Sequence, residues 1–566
     1  MFVKLTASGK RRYVQLVESY RDDAGRVKKR TVATLGRLDQ IGGELDSVIN
    51  GLLRVSGRPP VCGDTATPAI TFESARALGD VWTLTELWNA LGFSELRRVF
   101  RRTRHAIDVE ALIRVMVFNR LCDPDSKLGV LRWLQTVAVP QLDSKAITHQ
   151  QLLRAMDALV DHAGAVDAAV AALLRPMIDQ DLSVVFYDLT TIRTEGLSTE
   201  AHDVRQFGMA KEGVIARQFM LGVVQTAEGL PIYHEVFDGN AAETKTLLPT
   251  LRTVLRRFPS VRRLILVADR GLLSLDNLAA LNDVRLSSGQ ALEFILAVPG
   301  RRYSEFADLL SAFDRTECRA ATQEVIAELA WNGMRLVVAH DPVRAGEQTG
   351  RRNERIAALV AQADQWAGKL DGQDAGARQR GRKLSDSGAK ARFFHAVSEA
   401  HLSSIIRVNL KADLFSYDID ERARKLAQMM DGKLLLVTNA SDLDPAEIVA
   451  RYKSLADIER GFRVLKSELE IGPVYHRLPQ RIRAHAAICF MALILHRVMR
   501  WRLQAAGAAL SPDRALEALR RIQHHRVRLN AAQPVTGVSS ISVEQAKVLG
   551  ALNVRKPVAS EQLALL

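Results

Sequence analysis

The stretch Leu182-Ser-Val-Val-Phe-Tyr-Asp-Leu-Thr-Thr191 marks an abrupt change of pattern. Upstream of it, from about residue 70, apolar residues recur at helical spacing. Leu84, Leu87, Trp88 and Leu91 form one such set, and Val109, Leu112, Ile113, Met116 and Val117 another. From Leu182 the spacing gives way to a short apolar run of strand length that ends in an acid, Asp188. A run without polar alternation reads as a strand buried on both faces, so the chain passes here from an all-α segment into a covered sheet.

Working outward, two more strands are expected at Gln218–Gln225 and Ile232–Phe237, joined by the turn residues Glu228-Gly-Leu-Pro231. A helix from about Ala242 to Arg257 comes next. It leads to an apolar strand, Leu264–Ala268, a helix near Leu275–Asn282 and a strand at Phe294–Val298. The order is three strands, helix, strand, helix, strand, which is an α/β domain. The second apolar strand also ends in an acid, Asp269. A single acid after a strand commonly just starts a loop. Two in the same context, on strands expected to be neighbours, are what a divalent cation pair needs: hard oxygen donors a few ångströms apart for phosphoryl transfer.

A third acid comes from Tyr452-Lys-Ser-Leu-Ala-Asp-Ile-Glu-Arg-Gly-Phe-Arg-Val-Leu-Lys466. Read as one helix, Tyr452, Glu459 and Lys466 share a face, with Leu455 and Phe462 between them. An inward Glu asks for a partner; a salt bridge from Glu459 to Arg463 is the plain alternative to a metal. A haloacid-dehalogenase type of phosphohydrolase would need a second Asp two residues after Asp188, where Thr190 stands.

These segments resemble the bacterial insertion-sequence transposases of the DDE class, in the IS-four-like superfamily whose third acid follows a β-rich insertion inside a Tyr-Arg-Glu-Lys signature. The signature positions here are Tyr452, Leu455, Glu459 and Lys466; the Arg is replaced by Leu455. The segments 186–191, Gly239-Asn240, 268–271 and 458–463 resemble the subgroup with long chains and an N-terminal β-hairpin. The resemblance implies a ribonuclease-H-like catalytic domain in which Asp188, Asp269 and Glu459 are catalytic and hold two Mg²⁺ ions, with Mn²⁺ able to substitute. It implies that the ends of an insertion sequence are cut and joined to target DNA, by a homodimer bound to double-stranded DNA. Tyr452 and Lys466 would hold DNA phosphate, with Arg460 or Arg463 replacing the missing arginine. A ribonuclease-H-like nuclease without strand transfer, or an inactive DNA-binding derivative, would share much of this pattern. Trp331 or Trp366 could stack on a flipped base, though a core role is the commoner use of tryptophan.

The remaining chain divides by composition. Residues 1–45 form a basic β-hairpin region, 46–69 a linker, 70–180 an all-α domain expected to bind DNA, and 181–300 the first part of the catalytic domain. An α+β insertion (301–431), the second catalytic part (432–505) and a basic helix and tail (506–566) complete it. The net charge of +14 is concentrated at the ends: residues 1–40 carry +6 and residues 477–530 carry +9. That segregation suits a polyanion partner, with Lys28, Lys29 and Arg30 on the hairpin as phosphate contacts. Arg97, Arg98, Arg101, Arg102 and Arg104 form a further candidate patch. Four scattered cysteines, no signal peptide and no apolar run long enough for a bilayer point to a cytoplasmic, nucleoid-associated protein with no membrane partner.

Overall fold

A computed structural model of the chain describes all residues except 42–44, 59–69, 102–106, 144–145, 179–182, 197–202, 210–214, 270–274, 319–320, 376–383, 530–532 and 558–566. At residues 183, 209, 275–277, 457–460 and 529 it describes the backbone alone. Two units are distinguished: residues 1–75 with 525–537, and residues 76–524 with 538–566.

The first unit begins with β1 (Phe2–Ser8), β2 (Arg11–Arg21) and β3 (Val27–Arg37), an antiparallel sheet in that order. The expected hairpin is β2–β3. Its turn is closed by Asp22, whose Oδ1 accepts from the backbone N–H of Ala24 and Arg26, and by Gly25 at φ 78°. Helices α1 (Leu38–Ile41) and α2 (Leu45–Val55) come next, then β4 (Ile70–Ala77). The linker expectation fails over α2, because Leu45, Val48, Leu52 and Val55 repeat every three or four residues. Residues 59–69 lie outside the described residues.

The second unit opens with helices α3 (Gly79–Leu91), α4 (Leu96–Phe100), α5 (Val109–Cys122), α6 (Lys127–Thr136), α7 (His149–Asp161) and α8 (Ala163–Leu174). The all-α expectation holds from residue 79 on; β4 precedes it. Thr148 and Gln151 form the anticipated capping box.

The sheet is built from β5 (Ser183–Arg193), β6 (Gln206–Met209), β7 (Ile215–Thr226) and β8 (Pro231–Asp238), helix α9 (Glu243–Arg257), β9 (Leu264–Ala268), α10 (Leu275–Asn282) and β10 (Glu293–Ala297). After α11 (Ala307–Phe313), β11 (Val325–Trp331) and β12 (Met334–His340) pair with each other. Strand β12 also pairs with the strand at Lys433–Thr438, in register from Arg335 with Thr438 to His340 with Lys433. The hairpin therefore extends the main sheet instead of opening the insertion at residue 301. Its β12 residues Leu336 to Ala339 are buried on both faces, which only a place within a covered sheet allows.

Beyond β12 the chain forms a separate layer with its own core. Helices α12 (Pro342–Asp374) and α13 (Asp386–Glu399), the short pair β13 (Ile406–Val408) and β14 (Tyr417–Ile419), and α14 (Glu421–Met430) enclose Ile356, Leu359, Ala363, Phe393, Val397 and Ile406. Trp366 packs edge-on to Phe393 with ring centroids 6.3 Å apart, and Trp331 lies 5.1 Å from Phe306. Both tryptophans are thus engaged by neighbouring aromatic rings.

Strand β15 (Lys433–Thr438) returns to the sheet and leads into α15 (Pro445–Lys453) and α16 (Leu455–Arg463). The single helix expected over 452–466 is interrupted. Ser454 separates α15 from α16, and Val464–Glu468 form a wider π-type turn. Helix α17 (Pro479–Ala505) is long and apolar enough to cross a membrane, but 89% of its apolar window is buried inside the protein. It packs on α5, α7 and β8 as the central core helix. Helix α18 (Pro512–Arg520), strands β16 (Gln523–Leu529) and β17 (Val535–Val538), and α19 (Val543–Ala551) follow, so among the described residues the region read as a basic helix and tail carries two helices and two strands. Strands β17, β16 and β4 form a small sheet in that order, in which Arg526 and Arg528 both engage Glu73.

In the main sheet the order runs β11-β12-β15-β10-β9-β5-β7-β6, with β8 also on β7. Strands β5, β9 and β10 are parallel, and β7 is antiparallel to β5. Side chains alternate between two buried faces. Val185, Tyr187, Leu266 and Ala268 belong to the large core with α17, whereas Phe186, Ile265, Val267 and Ile295 belong to a smaller core with Ile448, Val449 and Leu455 from α15 and α16.

Candidate active site

That alternation positions the first two acids. Tyr187 of β5 is the register partner of Ala268 of β9, so Asp188 and Asp269 are the next residues on two adjacent parallel strands. Each is two residues beyond a side chain of the smaller core, Phe186 and Val267, and so both fall on the face covered by α15 and α16. Both are half-buried. Asp188 Oδ1 accepts from the backbone N–H of Leu189 at 2.7 Å. On the opposite face, the Tyr187 hydroxyl donates to Thr246 Oγ1 of α9 at 2.8 Å, which anchors β5 just before the acid.

Tyr452, at the end of α15, donates its hydroxyl to Asp269 Oδ1 at 2.8 Å. The sequence reading gave this phenol to DNA phosphate; the fold gives it a carboxylate. The reason is the break at Ser454: Tyr452 lies over the end of β9 while α16 crosses β5. Glu459 and Arg460 lie on α16 by backbone, and their side chains lie outside the described residues. Leu455, which stands where the signature has Arg, is buried in the smaller core and holds α16 to the sheet. Arg463 and Lys466 are exposed, the latter in the π-type turn after α16.

One residue that sets the height of α16 was not singled out by sequence reading. A Cβ on Gly461 would come 2.6 Å from Gln225 Nε2 and 3.1 Å from Arg497 Nη2. Gln225 is fully buried on β7, so the glycine lets the helix approach the sheet. A glycine inside a helical pattern is the signal that could have found it.

Of the basic candidates, Lys28 pairs with Asp22 at 3.2 Å and Arg30 with Glu18 at 2.8 Å, while the Lys29 ammonium sits 5.3 Å from the centre of the Phe2 ring. All three are exposed, and such pairs are weak enough to be exchanged for phosphate. The arginines elsewhere are more committed. Arg97 engages buried Glu110, which also accepts from the indole N–H of Trp88, and Arg98 pairs with Glu95; Arg102 and Arg104 lie outside the described residues. In the basic C-terminal run, Arg481 binds Asp157, Arg520 binds Asp80 and Arg502 donates to the Leu552 carbonyl. Much of the charge expected to meet phosphate there instead joins elements of the fold, because a guanidinium satisfies several buried acceptors at once.

Among the described residues, one group of acids and imidazole has metal-ligand spacing, and it lies outside the three acids picked from the sequence. Glu468, His496 and Asp513 offer atoms within 4.8 Å of one another. His496 Nε2 lies 2.8 Å from Glu468 and holds that carboxyl below its usual range, while burial, then the charge of Glu468, push Asp513 up to about 6. The trio ties the turn after α16 to α17 and α18.

Comparisons with known proteins agree with this layout. Residues 3–66 match the IS1634 family transposase N-terminal domain, and residues 179–495 match the transposase DDE domain. No curated protein matches. Among solved structures, one titled "Cryo-EM structure of piggyBac transposase synaptic complex with hairpin DNA" matches at 9% identity over 78% of this chain and 75% of that one, with a TM-score of 0.35. The DDE match begins just before the strand that carries Asp188, ends within α17, and takes in more than half of the chain, so the protein belongs to the DDE transposases, a family of divalent-metal-dependent enzymes that cut DNA and transfer its strands.

Proposed function

We propose that Asp188, Asp269 and Glu459 together form the metal site of a ribonuclease-H-like catalytic domain that cleaves the ends of an insertion sequence and joins them to target DNA. The observation that carries this reading is the register of β5 and β9, which puts two carboxylates side by side on the face that α16 covers. The strand order β8-β7-β5-β9-β10, with β7 antiparallel, supports the ribonuclease-H-like reading.

The donor set fits Mg²⁺, with Mn²⁺ as a substitute: three carboxylates with no sulfur and no imidazole in the proposed trio, of which Asp188 and Asp269 are half-buried. When bound, a pair of such ions lowers the pKa of an attacking water and neutralises charge on the scissile phosphate. The chain's own groups do the positioning. Tyr452 occupies one lone pair of Asp269 and fixes its rotamer, Leu455 and Gly461 set the height of α16, and Leu189 N–H orients Asp188. Arg463 and Lys466, both exposed, are proposed to take DNA phosphate, with Lys28, Lys29 and Arg30 contributing to recognition of the element ends. Arg460 is assigned to the same role from the sequence. Double-stranded DNA is the substrate, a homodimer holding two ends is the working form, and the location is cytoplasmic, at the nucleoid.

The test is cleavage and joining of DNA that carries the flanking element ends, mapped at nucleotide resolution with Mg²⁺ or Mn²⁺. Asp188→Asn, Asp269→Asn and Glu459→Gln should each reduce nicking by about a thousandfold or more while DNA retention survives. Any two together should be scarcely worse than one, because the ligands act as a unit. Full cleavage by a folded Glu459→Gln protein would remove that residue from the site. Nicking without joining would favour the plain nuclease.

A further inference from the structure

A second charged site lies away from the acids. A cavity of about 540 Å³ opens between the N-terminus of α6, α7 and the segment 470–478. Its walls carry Arg120, Lys127, His476 and His485, and its exposed rim carries Arg477 and Tyr475, the latter 71% exposed.

Two of these cations are buried without a carboxylate. Lys127 is 5% exposed, and among the described residues its ammonium has no hydrogen bond or ion pair. Arg120, also 5% exposed, donates to the carbonyl oxygens of Leu469, Glu470 and Asp125, which orient it but do not neutralise it. Burying a charge without a counter-charge is costly, and two side by side are more so. The neighbouring groups register the excess. Burial and then the charge of Arg120 bring Lys127 down to about 7, and burial, followed by Lys127, Arg481 and Arg120, brings His476 down to about 4. His485 is pushed down by burial and then by Lys127, Arg120 and His476. The acids of the lining do not balance this: Asp125 is taken by Arg132 and the Ser126 N–H, and Glu470 is exposed. The first turn of α6 adds its own positive potential at the Lys127 end.

We propose that this cavity binds a phosphate group, with Lys127 as its main contact and Arg120 and Arg477 beside it. The volume suits a phosphate ester of nucleotide size. Its source is either a free phosphate compound or a phosphodiester of bound DNA. Thr194, which continues β5, bridges to Val474 on the cavity wall, and the six residue steps from Asp188 to Thr194 span about 20 Å. A DNA strand bound at the acids and running along β5 would meet this wall. Only that second source rests on the proposed catalytic reading.

The experiment is thermal melting of the full chain at pH 6.5, with chloride, inorganic phosphate or a short single-stranded oligonucleotide at matched ionic strength. The variants are Lys127→Met and Arg477→Ala. In chloride, Lys127→Met should melt higher than the parent, because it removes an unpaired buried charge. Phosphate should raise the parent's melting temperature, with Lys127→Met needing at least about tenfold more anion for the same rise and Arg477→Ala, on the exposed rim, somewhat more than the parent. A Lys127-dependent rise with phosphate assigns a free phosphate ester; one with the oligonucleotide alone assigns the strand backbone. Asp188→Asn should respond as the parent does, whatever its cleavage activity. If neither ligand gives a rise that depends on Lys127, or if Lys127→Met fails to fold and Arg477→Ala responds as the parent does, the proposal falls.

Discussion

Two β-sheets in this chain obey the same backbone rules and are held in opposite ways. Strand β9 buries all five of its residues, whereas β3 buries none of its eleven. In the three-stranded sheet of β1–β3, the buried hydrophobic residues are Val14 and Val17, both on β2, while Phe2, Val3, Leu5, Val27, Val32 and Leu35 are exposed. That sheet stands on its ladder of backbone hydrogen bonds and on cross-strand pairs such as Glu18 with Arg30, each worth a fraction of a kcal/mol to about 1 kcal/mol. The main sheet stands on burial of both faces. The difference suits the proposed tasks: the carboxylates proposed to hold metal lie on the sheet covered on both faces, and the cations proposed to meet phosphate lie on the exposed one.

The comparison can be broken most severely through the core. Leu436→Ala on β15, where the side chain is fully buried, should cost about 2–5 kcal/mol in denaturant unfolding, whereas Leu5→Ala, with a 55% exposed side chain, should change stability by less than about 0.5 kcal/mol. Similar costs at the two positions would show that the N-terminal sheet has a packed face after all.

A second change leaves both cores in place and tests only geometry. Gly461→Ala puts a methyl against Gln225 and Arg497 and lifts α16 from β7. Nicking should fall by about ten- to a hundredfold, since small misplacements of a catalytic group are costly, while DNA retention and the unfolding midpoint move little. Unchanged nicking would mean that the height of α16 does not matter to the site.

The smallest expected effect belongs to the exposed sheet. Replacing Lys28, Lys29 and Arg30 by Gln should weaken binding of element ends and lower the slope of log affinity against log salt by about 0.9 for each phosphate that is no longer neutralised. Nicking by the fraction of protein already bound should be unaltered. An unchanged slope would make these cations structural, with Glu18 and Asp22 as their real partners.

How much of this was legible beforehand depends on the range of the interaction. Asp188, Asp269 and their strands were readable because a buried strand is a local pattern, an apolar run of fixed length, but the expected strand end at Asp188 was not, because β5 continues through Thr190 and Thr191 to Arg193 on its ladder with β7. The basic hairpin was readable for a similar reason, since Asp22 and Gly25 form its turn from neighbouring residues. The Tyr452–Lys466 segment was only partly readable. Its spacing fits one helix, but the break at Ser454 arises from α15 and α16 packing on different strands, which no local period reports.

The sequence by itself identified the three acids proposed as metal ligands, Asp188 and Asp269 after apolar runs and Glu459 in a helical segment. It also determined the segregation of positive charge to the chain ends. Tertiary structure alone decided the partners. Tyr452 went to Asp269, the hairpin β11–β12 to the main sheet, the C-terminal arginines Arg481 and Arg520 to Asp157 and Asp80, and Lys127 to a cavity wall with no acid to meet it. Side-chain type and spacing are set by local geometry, but which distant group a buried charge faces depends on the packing of elements hundreds of residues apart, and that information is absent from any local window of the chain.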